Sequence, residues 1–379
     1  MPESLRRRRD VVLTFLFLGL SVLLWFLPTG FEDRVDQTAQ RARAEVLDVD
    51  NTRVLQLGIL KTGWQTLRLR ILDGPFQGRE VEGDNQLLGK LEMDKYFQKG
   101  DTALAVITTT PDGDISRINP QDHYRLHLEL ALFGLFAGLL LLYGGFTGLR
   151  ALLSFVFTGL AIWKLLVPGL LQGLDPIWIT LALSTAIIAV VILLVGGVSR
   201  KSLAAFLGSL AGLLVTCVTA VLLSPGFHLS GAVKPFSETL LYTGFGHLNL
   251  TRIFLSGIFL ASTGAVMDLA MDVAASQNEV LLKKPDLHFT EALRSGFSVG
   301  RAVTGTMTTT LLLAYSGGYM SLLMIFMAQG VPVANLFNLN YVAAEVFNTL
   351  VGSFGLVTTA PFTALIGAAV FTRGRATPR

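Results

Sequence analysis

Long apolar runs alternate along the chain with short charged breaks, and one extended polar stretch interrupts them. Val11 to Leu27 is the first apolar run, close to the length a helix needs to cross roughly 30 Å of hydrocarbon. Further runs cover 128–146, 149–170, 177–197, 203–223, 253–276, 305–326 and 344–371, each about 20 residues and so each a candidate spanning helix. The first run lacks an A-x-A cleavage site, so we read it as an uncleaved anchor rather than a secretory signal. Between the first two runs, residues 31–125 are polar and punctuated. The alternating stretches Trp64–Ile71 and Ala103–Thr108 are separated by the turn sequences DGPFQG, KGD and PDGD, a pattern of short antiparallel strands in a small barrel or sandwich.

The expected fold is an α-helical polytopic membrane protein of about eight transmembrane helices, with a small β-rich extracytoplasmic domain inserted after the first helix. The expected domains are an anchor helix at 1–30, the β-rich domain at 31–125 and a seven-helix membrane domain at 126–379. Composition agrees with this class. Of 379 residues, 51% are hydrophobic and 15% charged, and mean hydropathy is +0.57, values of a polytopic membrane protein. The net charge of +3 is too small for a nucleic-acid partner, and the cations sit in short clusters between apolar runs. Arg6–Arg9, Arg150, Arg200–Lys201, Lys283–Arg301 and Arg373–Arg379 all fall on one side of an eight-helix alternation. The positive-inside rule makes that side the cytoplasm and places both termini there, in a bacterial inner membrane. Lys164 lies near the outer end of its run, where snorkelling accounts for it. A single cysteine, Cys217, rules out an intrachain disulfide.

Chemistry concentrates in the last three helices. Asp268 and Asp272 are four residues apart in an apolar run and share a helix face. Thr304, Thr306, Thr308, Thr309 and Thr310 open the next helix, and Glu345 and Asn348 lie near the start of the last. A carboxylate at membrane depth costs roughly 2.5–3.5 kcal/mol on insertion scales, so it calls for a partner or a task. Gln277, Asn278 and Glu279 mark the cytoplasmic boundary. The set Asp268, Asp272, Thr308, Thr309, Glu345 and Asn348 suits binding and release of a proton or small cation. The bland alternative is a solvated helix end with local hydrogen bonds. His123 and His127, with Asp122 and Glu129 nearby, lack a third ligand at diagnostic spacing, so no metal site is expected. No P-loop, nucleophile elbow or HExxH motif occurs. We therefore expect no catalytic residues, no enzyme activity and no cofactor.

The stretches GAVMDLAMDVAASQNEV, SVGRAVTGTMTTTLLLAYSGG and AEVFNTLVGSFGLVTTAPFTALIGA, together with LDGPFQGREV in the polar segment, resemble the YibE/F-like family of bacterial membrane proteins. That resemblance implies a permease-like envelope protein. A fainter similarity links Asp268, Glu279, the EAL loop at Glu291–Leu293 and the Thr-Thr helix to the SecD/SecF branch of the resistance–nodulation–division superfamily. It implies proton coupling at Asp268 with Thr308 and Thr309 facing it. The chain departs from that pattern in its smaller polar domain, the additional Asp272 and the missing arginine after the membrane aspartate.

Two functions follow as expectations. One is an ion- or proton-coupled transporter or export factor acting on an unidentified small molecule, ion or protein. The alternative is a non-transporting envelope scaffold or assembly partner whose β domain binds another protein. The lipid bilayer is the common partner, and a homo-oligomer is compatible with either.

Overall fold

The computed structural model describes residues 3–34 and 38–372; the Arg373–Arg379 tail lies outside them, as do the side chains of Arg6 and Arg7. The chain divides into two compact units, one made of Met1–Thr29 and Tyr143–Arg379, the other of Gly30–Leu142.

Helix α1 (Glu3–Phe26) opens the chain. Six strands follow: β1 (Ala39–Asp50), β2 (Val54–Leu57), β3 (Leu60–Ile71), β4 (Glu80–Leu88), β5 (Thr102–Thr109) and β6 (Ile115–His123). They pair in the order β2-β3-β1-β5-β6, with β4 also on β3, and all pairings are antiparallel. The sheet curls into a half-barrel, so that a methyl on Gly83 of β4 would lie 2.9 Å from Ile118 of β6. Its inner face alternates as expected: Ala42, Ala44 and Val46, Leu67, Leu69 and Ile71, and Ala103, Ala105 and Ile107 are buried together around Phe97. Both alternating stretches of the sequence fall inside strands, β3 and β5, and the three turn sequences fall between strands.

The remaining elements are helical. Helix α2 (Leu126–Ala161) is broken at Gly145, where φ 53 and ψ −127 lie outside helical values and only glycine adopts them without strain. It continues through a π-helical turn (Ile162–Leu166) into α3 (Val167–Leu171). Next come α4 (Pro176–Gly196), α5 (Arg200–Phe227), the short α6 (Ser237–Tyr242), α7 (Leu250–Lys283), α8 (Phe289–Gly318), α9 (Met320–Ala328), α10 (Val333–Asn338) and α11 (Asn340–Thr372). Among the described residues, six helices are long and apolar enough to cross a membrane, or seven if α8 and α9, bent by 66°, count as one span; α2 with α3 counts here as a single 46-residue run.

The predicted seventh run, 305–326, is not a single helix. Its helix begins earlier, at Phe289, because His288 and Glu291 form a reciprocal capping box, and it ends at Gly318 before the bend into α9. The presumed loop is therefore mostly helix, and the threonines lie in mid-helix rather than at its opening.

Small residues set the packing of α5, α7, α8 and α11. Methyls placed on Gly208, Gly212 and Gly355 would fall 2.0, 1.8 and 1.7 Å from the hydroxyls of Thr363, Thr359 and Thr216, so α5 and α11 touch backbone to backbone. Those hydroxyls donate to their own helix carbonyls: Thr216 to Gly212, Thr359 to Gly355 and Thr363 to Thr359.

Candidate functional site

Three contacts fix the relative depth of α7, α8 and α11. Gln277 of α7 is fully buried, and its Nε2 donates to the carbonyls of Ala292 (2.8 Å) on α8 and Ala364 (3.0 Å) on α11. Gly300 of α8 packs between Ala360 and Val273. Further along, Gly352 of α11 faces Ser262 of α7 and the Tyr315 hydroxyl of α8. Helices α7 and α11 are therefore parallel, and α8 runs antiparallel to both. Gln277, read from sequence as a boundary residue, is instead the hub where the three helices meet. Apolar neighbours on only one side of a helix leave a lone amide looking like a boundary; the glycines at 296 and 367 that make room for it were the available signal.

Asp268 lies about 27 Å along α7 at 1.5 Å per residue, one turn before Asp272. Both are exposed on the surface of this chain, on the opposite side from the buried Leu269, Ala270, Val273 and Ala274. No hydrogen bond or ion pair to either carboxylate occurs among the described residues. Thr308 donates to the Thr304 carbonyl at 2.8 Å, Thr309 is exposed, and the Thr304 hydroxyl is buried without a partner. The register places Thr304 and Gly305 level with Asp268.

Glu345 and Asn348 belong to a different cluster. Glu345 pairs with Lys234, and the Asn348 amide donates to its other oxygen at 3.3 Å. With Gly352 opposite Ser262, Glu345 lies about 20 Å along the bundle from Asp268. The six residues thus form two sites at different depths: an open carboxylate pair, and an ion-paired group near which the buried Tyr315 hydroxyl has no partner. Sequence alone does not separate them, because helix register is a tertiary property.

Ion pairs the sequence did not reveal tie the ends of the helices. Arg150, 8% exposed at its side chain, meets Asp10 at 3.2 Å and donates to the Val195 carbonyl. Lys164 reaches the Leu27 carbonyl just past α1 at 2.8 Å, a favourable place for a cation. Asp175 caps α4 and accepts from Arg252 at 2.6 Å. The Arg252 hydrogen bond, the two capping amides and its charge outweigh partial burial and hold Asp175 below the usual carboxylate range.

In the β unit, a polar cavity of about 240 Å³ is lined by Trp64, Asp84, Asn85, Gln86, Arg117 and Asn119 among others. The Asn85 Oδ1 there is buried and unpaired. His123 packs on Phe97 with centroids 4.6 Å apart, and His127 stacks on Tyr124 at 5.5 Å. Among the described residues, no three His, Cys, Asp or Glu side chains are placed to share a metal ion.

Long apolar helices that bury small residues against one another, with a half-barrel inserted after the first, define a helical membrane protein. The YibE/F-like protein family matches residues 132–373, which is well over half of the chain, and the chain belongs to that family. No curated protein and no solved structure matches it.

Proposed function

We propose that this protein is an ion- or proton-coupled transporter or export factor of the bacterial inner membrane, with Asp268 as the coupling carboxylate and Asp272 its neighbour. It acts without catalytic residues or a cofactor. The observation that carries this reading is the pair itself: two carboxylates in mid-helix, without a hydrogen bond or ion pair among the described residues, where membrane insertion is costly. Thr304 and Thr308 stand at their depth; Glu345 and Asn348 act at the other end as a structural tie.

The topology that goes with it has eight crossings, with the α2–α3 run divided at Gly145 and α8 crossing alone, both termini cytoplasmic and the β unit outside. Two groupings of contacts support it. Asp10, Arg150 and Val195 meet at what would be the inner ends of α1, α2 and α4, whereas Lys164 and Leu27 meet at the outer ends.

The test is flux in proteoliposomes under imposed proton or sodium gradients, with infrared difference spectra of the carboxyl region. Asp268→Asn is expected to insert and fold normally, to abolish coupled flux and to remove one titrating carboxyl band. Unchanged flux in that variant would remove Asp268 from the mechanism. The polar cavity around Trp64 favours a second reading, an envelope scaffold whose β unit binds another protein. In that case Trp64→Ala abolishes function and Asp268→Asn is mild.

A further inference from the structure

Helices α7 and α8 turn outward a pair of faces that do not suit lipid. On α7 the exposed residues Gly257, Ala261, Gly264, Asp268, Asp272 and Glu279 recur every three to seven positions along one stripe. On α8 the exposed residues include Arg294, Ser298, Arg301, Gly305, Thr306 and Thr309. The exposed positions in the body of α5 differ: Leu203, Leu207, Leu214, Val218 and Leu222 are all apolar, as lipid requires. A Cβ added at Gly257, Gly264 or Gly305 would meet nothing within 4 Å, so among the described residues no helix uses the room those glycines leave.

We propose that a second copy of this chain covers the face, α7 of each copy lying against α8 of the other, and so completes the Asp268–Asp272 site. Two copies inserted the same way round and related by a two-fold must have the axis along the membrane normal, so the interface joins groups of equal depth. Val273 against Gly300 and Gln277 against Gly296 set that depth scale. On it, Asp272 is level with Arg301, Glu279 with Arg294, and Asp268 with Gly305 and Thr306. Each acidic level of α7 thus meets a cationic or hydroxyl-bearing level of α8, and the small residues let the backbones approach. Within the chain no ion pair joins these groups among the described residues. An unrelated partner would have to neutralise both sets separately, whereas a second copy matches each with the other. This inference rests on the membrane reading and not on transport.

The experiment uses full-length protein, fluorescently labelled, reconstituted in liposomes over a range of protein-to-lipid ratios and counted by single-molecule photobleaching. Wild type is expected to shift from one to two copies as density rises. Gly264→Leu and Gly305→Leu, which the isolated chain accommodates, should weaken dimerisation at least tenfold, and Gly159→Leu on α2, also with open space at its Cβ, should not. Asp272→Arg should also weaken it, and adding Arg301→Asp should restore it, a rescue that general misfolding does not produce. A wild type that stays monomeric at every density, or a dimer indifferent to both leucines and to the charge exchange, overturns the proposal, as does a different protein occupying the face. A dimer that behaves as expected but shows no coupled flux would defeat the transport reading alone.

Discussion

Arg150 of α2 and Asp10 of α1 form an ion pair of 3.2 Å in which the arginine side chain is 8% exposed and the aspartate 19%. Removing one member of a buried pair leaves an uncompensated charge and costs about 3–5 kcal/mol. Asp10→Asn or Arg150→Leu should therefore lower the melting temperature in detergent markedly, and replacing both by apolar residues should recover much of the loss. Equal losses in the double and single variants would show that the pair is not coupled.

The tight glycines give a steric prediction with an internal control. Gly355→Ala puts a methyl 1.7 Å from the Thr216 hydroxyl, and Gly208→Ala puts one 2.0 Å from that of Thr363. Overpacking of this kind costs about 1–3 kcal/mol. Gly226→Ala, with open space around its Cβ, should be near neutral. Thermal unfolding of the three variants side by side decides the matter.

Asp175 carries a pH dependence. Its carboxyl is held below the ordinary value by Arg252, so the stabilisation is fully present above the unfolded pKa and fades as pH falls through the lower folded one. Both side chains are about 40% exposed, which limits the pair to roughly 0.5 kcal/mol. Wild type should lose slightly more stability than Asp175→Asn between about pH 5 and pH 3, measured by denaturant midpoints at each pH.

Lys234 and Glu345 join the segment between α5 and α7 to the start of α11. Glu345→Gln should free Lys234 and raise amide hydrogen exchange around residues 230–236 severalfold, with little effect near Asp268, about 20 Å away along the bundle. Loss of protection at both places would show that the two clusters act as one.

The apolar runs and the alternating strands were readable because each is a local period, 3.6 or 2, written into consecutive residues. The Asn249 cap of α7, which accepts from the Arg252 amide at 3.0 Å, is a local device of the same kind. The start of α8 was hidden because hydropathy dims where a helix leaves the bilayer, although the His288–Glu291 cap marked it. Partners far apart in the chain, such as Asp10 with Arg150 or Gln277 with Ala364, have no local signature. The carboxylate pair was visible; that Glu345 stands apart from it depends on how α7 and α11 are set in depth.

The glycine–threonine contacts between α5 and α11 have a mechanical consequence. Each hydroxyl occupies a notch that only a missing Cβ leaves open, two notches lying on α5 (Gly208, Gly212) and one on α11 (Gly355). Sliding one helix past the other by a single turn would set Thr359 against Thr216 in one direction and Thr216 against Val351 in the other. The α5–α11 pair is thus keyed like a shaft in its slot, and it moves as one piece. Any conformational cycle of this protein must place its moving joints elsewhere, in the helices that are not keyed.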